Sequence, residues 1–235
     1  MMKKRADELL KMVSGKDPVE GLRLLAGLYE NQLVFTTSFG IEDQVITDMI
    51  FSNNINIELV TLDTGRLFKE TYKVFSKTIQ KYDKKILTYF PDTASVEKMV
   101  SQKGPYSFYE SVDNRKECCH IRKVEPLNRA LRGMKCWVTG IRSEQSAGRD
   151  KLKLIEIDET RGIYKYNPLL DWDLKDIEEY IKQNNVPYNI LHDRGYVSIG
   201  CEPCTRAIKP GEDFRAGRWW WETNTGKECG LHEDD

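Results

Sequence analysis

The sequence predicts one α/β domain built on a doubly wound, mostly parallel sheet, followed by a C-terminal arm. Three observations carry that expectation. Short apolar runs rich in Val, Ile, Leu and Thr alternate with segments whose apolar residues recur at helical spacing. Each run ends in small or polar turn residues, as strands that feed helices do. The 235 residues, 40% hydrophobic and 31% charged, suffice for one core of ordinary size, with no linker-like composition shift and no long low-complexity segment. The expected division is 1–200 for the α/β unit and 201–235 for the arm.

Taken in order, two helices open the chain. The second starts at Asp17-Pro18, a cap followed by a first-turn proline, and is expected to bury Val19, Leu22, Leu25 and Leu28. Residues 33–37 read as a strand, Ser38-Phe39-Gly40 as a turn, and Glu42 onward as a helix with Val45, Ile46, Met49 and Ile50 inward. The pattern repeats with a strand at 57–62, a turn at Asp63-Thr64-Gly65 and a helix over 68–82. Residues 85–90 and 136–139 supply a third and a fourth strand, with one helix expected over 114–132 between them. Segments 151–157 and 163–166 read as two further strands, and Asp173 caps a helix through Gln183 that buries Leu174, Ile177, Tyr180 and Ile181.

Composition narrows the function classes. With 36 basic and 37 acidic residues the net charge is -1, which argues against a general nucleic-acid or membrane binder, so any anion site is local. No apolar run near the N-terminus resembles a signal peptide, no stretch is long enough to span a bilayer, and a cytoplasmic location is expected. In that reducing setting, six cysteines point to metal binding or thiol chemistry rather than structural disulfides.

In doubly wound sheets ligands sit beyond the carboxyl ends of the strands, so the turns matter most. Ser38-Phe39-Gly40 offers small residues, backbone N–H groups and a helix N-terminus, which suit a phosphate or sulfate. Neither Walker A nor Gly-x-Gly-x-x-Gly occurs. The turn after the fourth strand adds Arg142 and Arg149, planar donors able to clamp an oxyanion or stack on a base. Cys201-Glu202-Pro203-Cys204 brings two thiolates to one centre, and Cys118-Cys119 can supply two more. Adjacent cysteines on a helix point about 100° apart, awkward for one small ion and feasible around a bulkier cluster, which favours iron–sulfur over zinc. Cys136, in an apolar segment, reads as a buried inert thiol; Cys229, with Gly226, Lys227, Gly230 and His232 nearby, is the candidate reactive one. His192 reads as a surface or hydrogen-bonded histidine, and Trp219-Trp220-Trp221 as a pin holding the arm to the body.

Together these stretches resemble the assimilatory sulfonucleotide reductases, in particular their iron–sulfur adenylyl-sulfate (APS) branch. The resemblance rests on residues 37–43, 62–68, 116–123, 140–146, Cys201-Glu202-Pro203-Cys204 and Glu228-Cys229-Gly230-Leu231-His232. It implies a fold similar to the adenine-nucleotide α-hydrolases and thioredoxin-dependent conversion of APS to sulfite and AMP. It further implies a 4Fe-4S cluster on Cys118, Cys119, Cys201 and Cys204, with Cys229 as catalytic nucleophile. Ser38, Phe39, Gly40, Glu42, Asp43, Leu62, Asp63, Gly65, Arg66, Arg142, Gln145 and Arg149 would bind the nucleotide, and Lys123, Arg215, Arg218 and His232 would surround the sulfate. A thioredoxin or glutaredoxin-like reductant and a homo-oligomer are expected partners, and 3'-phospho-APS (PAPS) is the alternative substrate.

Overall fold

A computed structural model of the protein describes residues 2–145 and 152–222. Its centre is a six-stranded sheet in the order β3-β2-β1-β4-β6-β5. The strands are β1 (Leu33–Thr37), β2 (Glu58–Leu62), β3 (Leu87–Tyr89), β4 (Cys136–Val138), β5 (Ile155–Asp158) and β6 (Ile163–Tyr166). All neighbours pair in parallel except β5 with β6, so the expected mostly parallel sheet is present.

Alternate residues of a strand face opposite sides, and here both sides are covered. Leu33 and Phe35 join a large core with α1 (Met2–Val13), α2 (Pro18–Leu28), α3 (Ile41–Ser52) and α8 (Leu174–Gln183). Val34 turns the other way, with Val60 and Trp137, onto Leu127 and Ala130 of α7 (Glu125–Ala130). That is the doubly wound arrangement. Strand order reverses at β1, whose chain leaves toward β2 while β4 returns on its other flank, so the crevice at the β1 and β4 carboxyl ends is the topological switch point.

Local chemistry fixes the helix ends. Asp17 accepts from Glu20 N at 2.9 Å to start α2, and Asp173 forms a reciprocal capping box with Asp176 at the head of α8. The remaining helices are α4 (Lys69–Tyr82), α5 (Thr93–Lys103), capped by Asp92 and not foreseen from the sequence, and α6 (Val112–Cys119). Two stripes are narrower than expected. Leu28 and Leu174 lie at helix ends and are 37% and 42% exposed, beyond the reach of the core.

The segment expected as one helix over 114–132 is instead α6, a π turn at His120–Val124, and α7. Pro126 supplies the reason: it lacks an N–H and its ring crowds the carbonyl of Arg122, so the chain widens just upstream. The extra residue rotates the side chains of α7 by about 100° relative to a regular helix. Among the described residues no helix is long and apolar enough to cross a membrane.

Candidate active site

A cavity of about 240 Å³ opens at the switch point. Its floor comes from the carboxyl ends of β1, β2 and β4, including Ser38, Leu62, Thr64 and Gly140, and its roof from residues 197–201 with Phe214, Arg215 and Arg218. A second, smaller cavity of about 20 Å³ is enclosed by Cys118, Cys119, Cys201 and Cys204 with Arg66, Arg115, Arg122 and Trp219. Lys123, Cys201 and Arg218 wall both. A charge placed in either cavity is therefore felt in the other through the same three side chains.

The π turn explains how one helix serves this double site. Cys118 and Cys119 close α6, and the widened turn then carries Arg122 and Lys123 toward the strand ends, where Arg122 donates to the Thr64 carbonyl at 2.7 Å. Pro203 opens the short 3-10 turn that presents Cys201 and Cys204, and Glu202 N donates to the Arg66 carbonyl at 2.8 Å, tying that turn to the β2 loop. The arm then doubles back: Thr205 bridges Arg218, and Trp219 N donates to the Cys204 carbonyl at 3.1 Å. Trp219, 1% exposed, is buried against Arg115 and Arg218, whose guanidiniums lie 4.6 and 4.7 Å from its ring. Beyond it, Glu222 accepts from Arg115 Nε at 2.8 Å and from Nη2 at 3.2 Å. The tryptophan run does pin the described part of the arm.

The four cysteines are buried, and none forms a disulfide. Burial opposes ionisation of Cys201, yet Lys123, a hydrogen bond with Thr64 at 3.3 Å, Arg218 and Arg122 outweigh it and hold this thiol below its ordinary pKa. Burial and the neighbouring Cys201 charge push Cys204 up to about 12, and burial raises Cys118 against the pull of Arg122. Such thiols give up protons in exchange for a metal. Among the described residues no three Cys, His, Asp or Glu side chains converge to hold a single ion. Four buried thiols spread around one small cavity, with cations in its wall and with Trp219 Nε1 and Arg122 Nε lacking a hydrogen-bond partner among the described residues, fit a polynuclear anionic cluster.

The β1 turn differs from expectation. Its N–H groups are occupied by side chains of its own neighbourhood: Ser38 N and Oγ each donate to Asp43 at 2.6 Å, Phe39 N to Thr37 Oγ1 at 3.0 Å, and Gly40 N to Ser38 Oγ at 3.4 Å. A carboxylate sits where an anion was expected. Burial, with a smaller push from Glu42, lifts Asp43 to about 6 despite those bonds. Gly140 makes room for this carboxylate, since a Cβ there would lie 2.2 Å from Asp43 Oδ1.

Of the residues expected around substrate, Ser38, Gly40, Glu42, Asp43, Leu62, Lys123, Arg215 and Arg218 line the larger cavity. Others do not. Phe39 is buried against Phe75, and Asp63 holds Gly65 N at 2.8 Å and the Tyr72 hydroxyl at 2.9 Å. Gly65 shapes that turn with φ +69°, and Arg66 lies at the cysteine cavity, over the Phe108 ring. Arg142, 2% exposed, is clamped by Glu42 and Glu144, each at 3.0 Å, so its guanidinium braces the β1 and β4 loops. The Gln145 side chain, Arg149, Cys229 and His232 lie outside the described residues. Sequence reasoning missed Arg115, Arg122 and Thr64 at the site; only Pro126, which foretells the π turn, offered a signal for Arg122.

The fold and its switch-point cavity define the class: an α/β protein whose site lies at the carboxyl edge of a mostly parallel sheet. Residues 32–207 match the phosphoadenosine phosphosulfate reductase domain, and the chain belongs to that family. It is 52% identical over 97% of its length to 90% of an adenosine 5'-phosphosulfate reductase of Sinorhizobium fredii (strain NBRC 101917 / NGR234). It is 53% identical over 90% of its length to 79% of the enzyme so named in Rhizobium meliloti (strain 1021). Among solved structures, the phosphate complex of a PAPS reductase from Candida auris superposes with a TM-score of 0.74 at 33% identity, over 87% of this chain and 97% of that one. A Candida glabrata FMN adenylyltransferase with FAD and pyrophosphate shares the fold at a TM-score of 0.55 and 18% identity, over 100% of this chain and 77% of that one.

Proposed function

We propose that the protein reduces APS to sulfite and AMP, with a thioredoxin or glutaredoxin-like dithiol as reductant, in sulfate assimilation. One observation carries the reading in the chain itself: a switch-point cavity of about 240 Å³ shares Lys123, Cys201 and Arg218 with a four-cysteine cavity. Relatives about 50% identical and named for this reaction support it.

An anionic thiolate must reach the sulfur of an anionic sulfate ester, so repulsion is the first obstacle. Lys123, Arg215 and Arg218 line the cavity and would neutralise the sulfate oxygens as charge gathers on them. Cys229 is proposed as the nucleophile and His232 as its neighbour at the sulfate. Its thiolate forms a bond to the sulfate sulfur as the S–O bond to AMP breaks, and AMP departs with the electron pair. The reductant's thiolate then attacks the Cys229 sulfur, sulfite leaves with the S–S pair, and the reductant's second thiol releases its mixed disulfide. The balance is one dithiol oxidised for each APS reduced. Cys118, Cys119, Cys201 and Cys204 would hold a 4Fe-4S cluster, which would supply a structural tie between α6 and the arm and a negative charge beside Lys123.

Anaerobic purification with iron and acid-labile sulfide analysis, followed by sulfite assay with APS and with PAPS, tests this. Iron, sulfide and thioredoxin-dependent sulfite from APS are expected. Zinc without iron, or sulfite from neither nucleotide, would overturn the proposal. The likeness to a PAPS reductase structure favours PAPS as second reading, and preferential turnover of PAPS would establish it.

A further inference from the structure

The roof of the larger cavity depends on a loop whose tip faces solvent. Residues 206–217 run out from the short turn at Glu202–Cys204 and return to Arg218, and Phe214 and Arg215 on the returning limb line the cavity. Backbone closes the base, where Arg206 N donates to the Gly217 carbonyl at 2.9 Å. Beyond the base, Lys209, Pro210, Gly211 and Asp213 are exposed, so burial does not hold the tip. A pair of side chains does. Arg206 Nη1 donates to Glu212 Oε2 at 2.8 Å and Nη2 donates to Oε1 at 3.1 Å, a two-bond fork that fixes orientation as well as distance. The same Oε2 accepts from Lys209 N at 2.9 Å, and Arg206 Nη1 also donates to the Ala207 carbonyl at 2.7 Å. One carboxylate therefore ties the outgoing limb, the tip and the start of the returning limb.

The tie reaches the cavity through a short bonded segment. Arg215 N donates to Asp213 Oδ1 at 2.8 Å, and the Arg215 carbonyl accepts from Arg218 N at 2.9 Å, so a shift of Glu212 is passed to Arg215 within three residues. The Arg206 and Glu212 side chains are 34% and 29% exposed, a setting in which an ion pair adds little to overall stability. Its effect is local. We propose that Arg206 and Glu212 are positioning residues, their ion pair holding the roof loop so that Arg215 faces the sulfate end of the cavity. This rests on APS occupying the cavity with its sulfate beside Arg215. A misplacement of about 1 Å around reacting groups can cost about 100-fold, so partial release of the loop should cost about tenfold.

The test uses the full chain purified anaerobically and follows, in a single turnover at subsaturating APS without reductant, the rate at which Cys229 gains the sulfo group. AMP, which lacks that group, is titrated alongside. Glu212→Ala should slow transfer about tenfold while AMP affinity stays within about twofold of wild type and iron content is unchanged. Glu212→Gln keeps an acceptor for Lys209 N and should lose about threefold. The decisive comparison is made in an Arg215→Ala background, where E212A should add less than about twofold, because the pair acts through the guanidinium already removed. A merely structural pair would add its full loss there. Transfer in E212A within about twofold of wild type, an equal loss of AMP affinity, or an undiminished loss in the R215A background overturns the assignment while leaving the APS site standing. Wild-type transfer in R215A alone overturns the placement of the sulfate and the assignment with it. Should E212A not fold, E212Q and Arg206→Gln carry the same comparison, and wild-type transfer in both overturns the assignment.

Discussion

Replacing Glu222 by alanine should loosen the arm from the helix that carries the paired cysteines. The Arg115 and Glu222 side chains are 2% and 5% exposed and meet through two hydrogen bonds at 2.8 and 3.2 Å. Removing one partner of a buried pair costs about 3–5 kcal/mol, because the other charge stays desolvated. Arg115 keeps its place over the Trp219 ring and its interaction with Cys119, which points to the lower end, about 3 kcal/mol. At about 2–4 °C per kcal/mol for a chain of this size, Tm should fall by about 6–12 °C. Thermal unfolding followed by circular dichroism, on wild type, E222A, Arg115→Met and the double variant, measures it. The double variant should recover part of the loss, since it leaves no lone charge. A Tm change below about 2 °C in E222A, well under the range set by that slope, or strictly additive effects, would refute the pairing as a clasp.

The same geometry sets the outcome of three other perturbations. A methyl at Gly200 would lie 2.4 Å from Arg218 Nη2 and 2.6 Å from Cζ, and Arg218 is 6% exposed with little room to withdraw. Gly200→Ala should lower kcat/KM for APS by about 10–100-fold with AMP affinity nearly kept, and a value within twofold of wild type would contradict the placement of Arg218. Asp43, raised to about 6, stabilises the fold in its protonated form near pH 4 and loses that contribution as pH rises through 6. Wild type should therefore lose stability relative to Asp43→Asn between about pH 4 and 6 and hold a constant difference above pH 7; a flat difference throughout would show an unperturbed carboxyl. Cys204→Ser should purify with most of its iron and sulfide gone and activity lost, and full iron content would remove it from the ligand set.

The sheet was legible because its signals are local. Apolar runs at 33–37, 58–62 and 163–166 show in the composition of a few consecutive residues, and the caps at Asp17 and Asp173 satisfy backbone N–H groups three residues on. The four cysteines were legible because their chemistry restricts what they do together. What could not be read depends on partners far apart in sequence. The β1 turn looks like an empty anion cradle until Asp43 is seen filling it, and Arg142 like a free clamp until Glu42 closes on it across 100 residues. Pro126 was visible, and its effect on the preceding turn comes from proline's geometry.

The most direct measurement is to expose the anaerobically purified protein to APS without reductant, quench, digest and locate added mass by tandem mass spectrometry. The account predicts one sulfo group on Cys229, released as sulfite when thioredoxin is added, and none in Cys229→Ser. A sulfo group on another residue, or sulfite release with Cys229 unmodified, would contradict it.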